Sequence, residues 1–201
     1  MRAVVIGNGS INNYDYIKSR LKSSDFIICA DGGMRHAKAM GITPDIAIGD
    51  FDSYNKEQGI KTYTYPTDKD FTDGELAVSY ASEHGYSEIM LLGMTGDRLD
   101  HTLTDIFIMR NYPGSFLVDD KNEIHIVKDR LILKGCAGKT LSIIPVCGDL
   151  TGIITKGLKW QLDNETLYFG TSRGNSNIIE SDICEISVKN GTGIVVINDG
   201  E

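Results

Sequence analysis

Two carboxylates stand two residues apart in Gly49-Asp50-Phe51-Asp52-Ser53, directly after the apolar run Ile46-Ala47-Ile48, which reads as the end of a buried strand. Side chains of extended backbone alternate with a period of two, so strand geometry carried through Phe51 points Asp50 and Asp52 to the same side. Like charges held that close raise one another's pKa unless a cation sits between them. Carboxylate and hydroxyl oxygens are hard ligands, which favours Mg²⁺ over zinc or copper. Taken alone, the stretch also reads as a solvated turn with an aspartate cap.

Further acidic loops extend the pattern. Pro66-Thr67-Asp68-Lys69-Asp70-Phe71 leads into Thr72-Asp73-Gly74-Glu75, whose spacing is that of a capping box and predicts a helix from Thr72 to about His84. Asp73 is then either a first-turn residue favoured by the helix dipole or a third carboxylate joining Asp50 and Asp52. In Gly96-Asp97-Arg98-Leu99-Asp100-His101, Arg98 has the planar donors to fork onto a phosphate, and Asp100 could bind metal or orient a hydroxyl. His101 reads as a structural hydrogen-bonder or a general base. Asp31-Gly32-Gly33 lies between an apolar run and a helical segment, the order that offers backbone N–H groups to a phosphate, although such turns also use glycine simply for positive φ.

The elements that must carry these loops alternate. Strands are expected at residues 3–6, 26–30, 46–48, 62–65, 88–92 and 116–118. Helices are expected from about Asn13 to Ser23, from Met34 to Met40, from Thr72, and after His101, the last with Leu103, Ile106, Phe107 and Met109 as its apolar face. That order implies an α/β domain over residues 1–121, a Rossmann-like, mostly parallel sheet with flanking helices, in which ligands bind beyond the carboxyl ends of the strands. From Asn122 the helical period disappears. Short strands at residues 124–127, 130–133, 140–144, 152–155, 167–170, 183–188 and 193–197, separated by Gly, Asp and Asn, predict an all-β sandwich or barrel over 122–201. Within it Trp160, the only tryptophan, is either a core ring or a stacking surface for a flat or cationic ligand. Gly174-Asn175-Ser176-Asn177 is a polar turn able to present hydroxyl and amide groups.

Composition narrows the partners. The 201 residues carry 20 basic against 28 acidic side chains, a net charge of −8, with no basic cluster dense enough to follow a nucleic-acid backbone. No apolar run approaches the roughly 20 residues of a membrane span, and no signal peptide opens the chain, so a cytoplasmic location is expected. Cys29, Cys136, Cys147 and Cys184 are widely spaced and read as reduced thiols.

Together, Asp31-Gly32-Gly33, Gly49-Asp50-Phe51-Asp52-Ser53, Asp70-Phe71-Thr72-Asp73, Gly96-Asp97-Arg98-Leu99-Asp100-His101, Gly157-Leu158-Lys159-Trp160 and Ser176-Asn177 resemble, in order and spacing, the blocks of the thiamine pyrophosphokinases. The departures are small: His101 stands where some members carry Gln, and Gly74-Glu75 replaces more varied residues. The resemblance implies Mg²⁺-dependent transfer of the pyrophosphoryl group of ATP to the hydroxyl of thiamine, giving thiamine diphosphate and AMP. It implies Asp50, Asp52 and Asp73 as metal ligands. Asp31, Gly32, Gly33, Lys69, Asp70, Arg98 and Asp100 would line the nucleotide and phosphate site, with Asp100 a candidate base. Trp160, Ser176 and Asn177 would contact thiamine at a homodimer interface. Two other readings of the same residues are a pyrophosphokinase for another heterocyclic alcohol, such as a pterin, and a non-catalytic nucleotide or thiamine diphosphate sensor.

Overall fold

A computed structural model describes residues 1–50 and 59–198. Phe51, Asp52 and Ser53 of the expected metal motif lie outside the described residues. The chain divides into two compact units, Met1–Asp120 and Lys121–Glu201.

In the first unit, β1 (Arg2–Ile6), β2 (Phe26–Ala30), β3 (Ile46–Gly49), β4 (Lys61–Thr64), β5 (Glu88–Leu92) and β6 (Ser115–Val118) form a parallel sheet. Its strand order is β4-β3-β2-β1-β5-β6. Central strands of a sheet covered on both faces read as unbroken apolar runs, and Val4, Val5, Ile6, Met90, Leu91 and Leu92 are all fully buried. The helices are α1 (Tyr14–Ser19), α2 (Met34–Ala39), α3 (Asp73–Glu83) and α4 (Leu99–Ile108). Met34, Ala37 and Met40 join Val4, Ile6, Cys29 and Ala47 in one core, while α3 packs against β1, β2 and β3. After β1 the chain builds outward to β4, then returns to lay β5 and β6 on the other side. The strand order therefore reverses between β1 and β5, and the crevice outside the carboxyl ends of the strands there is where an open α/β sheet binds ligands.

Two helices differ from expectation. α1 is shorter than the segment from Asn13 to Ser23; the Asn13 side chain caps it by accepting from Tyr16 N–H at 3.0 Å. At α4 the expected apolar face is only in part the buried one. Leu103 and Phe107 are 43% and 45% exposed, whereas Asp105, Ile108 and Met109 are buried. Met109 is buried as expected and Ile106 half-buried, but the carboxylate of Asp105 shares the inward stripe, which the apolar pattern alone does not show.

In the second unit every pairing is antiparallel, among β7 (Asn122–Val127), β8 (Arg130–Lys134), β9 (Thr140–Lys156), β10 (Glu165–Leu167), β11 (Asn177–Ile178), β12 (Ile183–Ser187) and β13 (Asn190–Asn198). The two strands expected at 140–144 and 152–155 are one strand, β9. Positive φ at Cys147 (60°), Gly148 (107°) and Gly152 (62°) lets it bend without ending. Its first half pairs with β13 and its last residues pair with β12, so one strand serves two ladders. Leu141, Ile143, Leu150, Ile153, Ile186 and Val195 fill the core between them. The strand expected at 167–170 stops at Leu167, because Thr171 N–H and Oγ1 both donate to Tyr168 O and close a turn. No described helix is long and apolar enough to cross a membrane.

Candidate active site

The crevice is a cavity of about 590 Å³ at the carboxyl ends of the first unit's strands. Its walls are Gly7–Ser10 after β1, Ala30 and Asp31 after β2, Asp50 after β3, Lys69 and the first turn of α3, and Gly93–Arg98 after β5. The β1 and β5 loops are stitched together by Gly7 N–H to Leu92 O (2.8 Å), Gly9 N–H to Gly93 O (2.6 Å) and Ser10 N–H to Thr95 O (2.6 Å). Gly32 and Gly33 stand behind this wall rather than in it. They do not supply the positive φ of the turn; Asp31 does, at 40°. A Cβ on Gly33 would lie 1.9 Å from Ile6 O, and one on Gly32 would lie 2.4 Å from the Asn8 side chain. These glycines allow β1 and the β2 turn to touch.

The charges converge on Lys69. Its ammonium lies 3.3 Å from Asp73 Oδ1 and 3.8 Å from Asp50 Oδ2, with all three side chains mostly shielded, and it donates to Pro66 O at 3.0 Å. Among the described residues, Asp31 Oδ1 is a buried oxygen without a hydrogen-bond partner, and the buried Asp73 Oδ1 has only its 3.3 Å ion pair with Lys69. Leaving such an atom unsatisfied costs about 1–3 kcal/mol, more for a charged group. Burial raises the Asp73 pKa above the ordinary carboxylate value; Lys69 opposes this, and the charges of Asp50 and Asp31 add to it. Asp31 is also held in the left-handed region, a conformation tolerated where surrounding structure imposes it. Buried, mutually repelling carboxylates with a single lysine among them are a donor set that suits a hard divalent cation. Among the described residues, no three carboxylates already enclose a metal position.

Thr72 N-caps α3, its Oγ1 accepting from Glu75 N–H at 3.1 Å, and this fixes Asp73 at the mouth of the helix. Arg98 also lines the cavity, but it forks onto Asp100, with Nε to Oδ1 at 2.9 Å and NH2 to Oδ2 at 2.6 Å. That hydrogen bonding holds the Asp100 carboxyl well below the usual range and makes it a weak base, and Asp100 is not part of the lining. Asp70 is exposed and outside the lining. His101 is exposed at the rim.

The lining residues that went unnoticed in the sequence as site candidates include Asn8, Arg35, Thr102 and Asp105. Finding Asn8 required knowing that β1 neighbours β5, which the strand runs do not reveal. Asp105 is 7% exposed, and burial pushes its carboxyl up to about 7, with Glu75 adding to the effect.

In the second unit Trp160 is 56% exposed, so its ring is not a core ring. Asn177 grips its backbone from both sides: Trp160 N–H donates to Asn177 Oδ1 at 3.1 Å, and Asn177 Nδ2 donates to Trp160 O at 2.7 Å. Lys159 Nζ lies 4.8 Å from the Trp160 ring centroid, within cation–π reach. Ser176 adopts φ 58°, and its N–H donates to Ser142 Oγ at 3.0 Å.

Comparison with known proteins follows the same division. The family model described as thiamin pyrophosphokinase, catalytic domain, matches residues 17–125, and that described as thiamin pyrophosphokinase, vitamin B1 binding domain, matches residues 121–195. A thiamine pyrophosphokinase of Bacillus subtilis is 30% identical, over 68% of this chain and 70% of its own length. Thiamine pyrophosphokinase 1 of Oryza sativa is 26% identical, over 80% of this chain and 74% of its own. The crystal structure of the Bacillus subtilis thiamine pyrophosphokinase superposes with a TM-score of 0.85 at 22% identity, covering 98% of this chain and 99% of that one, a likeness of fold. With both of its models matched in tandem, the chain belongs to the thiamin pyrophosphokinase family.

Proposed function

We propose that this chain transfers the pyrophosphoryl group of ATP to the primary hydroxyl of thiamine, releasing AMP. The observation that carries the reading is the gathering of Asp50 and Asp73 on Lys69 beside Asp31, whose buried Oδ1 has no hydrogen-bond partner among the described residues, in a chain matching both family models. The hydroxyl oxygen attacks the β-phosphorus, the bond from that phosphorus to the α-phosphate oxygen breaks, AMP leaves, and the hydroxyl proton passes to solvent or a base. Such transfer asks the protein for positioning and charge stabilisation rather than a nucleophile.

Asp50, Asp52 and Asp73 are the proposed Mg²⁺ ligands. Magnesium bound there would neutralise phosphate oxygens of the nucleotide. Lys69, now shared between Asp50 and Asp73, and Arg98 hold the remaining phosphate charge, with Asp31, backed by Gly32 and Gly33, shaping the nucleotide side, while Asp70 stays outside the cavity. Asp100 acts chiefly by aiming Arg98, since the pairing lowers its basicity. Trp160 and Ser176 contact thiamine, and Asn177 fixes Trp160. In this reading residues 1–121 are a Rossmann-like nucleotide domain and residues 122–201 a thiamine-binding β-sandwich or barrel. A cytoplasmic homodimer completes the thiamine site at its subunit interface.

Incubation with ATP, Mg²⁺ and thiamine should yield AMP and thiamine diphosphate in equal amounts. ADP without AMP overturns the reaction, and turnover of a pterin alcohol in preference to thiamine overturns the substrate.

A further inference from the structure

The β1 loop that walls the cavity rests on a buried histidine whose proton positions follow from its partners. His36, on α2, is 3% exposed, with Nε2 at 2.7 Å from Gly9 O and Nδ1 at 2.8 Å from the Tyr14 hydroxyl. A carbonyl oxygen only accepts, so Nε2 carries the hydrogen and donates to Gly9. Burial, the largest influence, lowers the His36 pKa, the neighbouring Arg35 charge acts the same way, and the Gly9 bond opposes them. A neutral ring protonated on Nε2 has a bare Nδ1, so the Tyr14 hydroxyl donates to it. Arg35 clamps the same loop through NH2 to Asn8 O at 2.7 Å and Gly9 O at 3.2 Å. Gly7, Gly9 and Ser10 spend their N–H groups on the β5 side. Among the described residues, the Asn8 N–H is left without a partner, and Asn8 lines the cavity.

We infer that His36 is a positioning residue for the nucleotide: held by Tyr14, it fixes Gly9 and so presents Asn8 to phosphate oxygens. The inference rests on the reading of the cavity as a nucleotide site. It is tested by titrating a non-hydrolysable ATP analogue, and by steady-state kinetics, on His36→Leu, His36→Gln and Tyr14→Phe. His36→Leu should weaken analogue binding and raise the KM for ATP by about tenfold while leaving the KM for thiamine unchanged. His36→Gln, whose amide still donates to Gly9 O, should lose less, and Tyr14→Phe only about two- to fivefold. Should His36→Leu fail to fold, the Tyr14→Phe comparison carries the test. Nitrogen NMR of the His36 ring should report hydrogen on Nε2. Folded variants with unchanged ATP affinity, or hydrogen on Nδ1, overturn the inference. Analogue binding is read without turnover, so failure of the AMP assay alone would count against the proposed reaction and not against this role of His36.

Discussion

The two units place their candidate site residues by opposite means. In the first, Asp31, Asp50, Lys69 and Asp73 are shielded side chains brought together at the carboxyl ends of successive strands, with one ammonium between two carboxylates and a buried Asp31 oxygen that has no hydrogen-bond partner among the described residues. In the second, Trp160 exposes its ring, and Asn177 holds it through the backbone alone. The first arrangement stores electrostatic stress that the proposed cation would relieve. The second offers a pre-set apolar face with little stored energy. Substitutions should therefore alter chemistry in one unit and affinity in the other.

The largest effect is expected from Asp50→Ala or Asp73→Ala. AMP formation should fall by roughly 10²-fold or more, as expected when a metal ligand at a phosphoryl-transfer site is lost. The melting temperature should hold or rise, since one of several repelling carboxylates is gone. Unfolding in step with lost activity would instead make the cluster structural, erasing the contrast. Next, Trp160→Ala should raise the KM for thiamine by about tenfold and leave that for ATP alone, the scale of a stacked ring. Asn177→Ala should do the same by a smaller factor, and the fluorescence of this only tryptophan should report a loosened ring. A matching loss toward ATP would deny the division of labour.

The smallest effect concerns stability. Asp105 titrates at about 7 in the fold, above its ordinary value of 3.8. The unfolded chain ionises first, so this residue's contribution is intact below about pH 4 and is lost as pH rises toward about 7. Asp105→Asn should therefore be more stable than the parent above pH 7, by on the order of 1–3 kcal/mol, with the gap closing toward pH 4. Equal stability at pH 8 would mean that the carboxyl is solvated.

Much of this was legible in the sequence for physical reasons. Buried parallel strands announce themselves as apolar runs, and loops at their carboxyl ends collect the charged residues, so Asp50, Asp73 and Arg98 could be picked out, while Asp31 and Lys69 were named only through the family resemblance. Thr72 and Glu75 marked the start of α3 because capping is local. What escaped was non-local. Gly148 and Gly152 look like punctuation between strands, yet they bend β9 without breaking it. Asp105 reads as a surface residue until α3 is packed over it. The bond between Arg98 and Asp100 that lowers the basicity of Asp100 depends on a rotamer pairing. Asn8 and Arg35 belong to the cavity only because the chain returns to set β5 beside β1.

Calorimetric titration of a non-hydrolysable ATP analogue, with and without Mg²⁺, into the parent protein and Asp73→Asn tests the central claim most directly. The account predicts that Mg²⁺ tightens binding to the parent by about tenfold or more and has little effect on the variant. The same Mg²⁺ dependence in both proteins would contradict it.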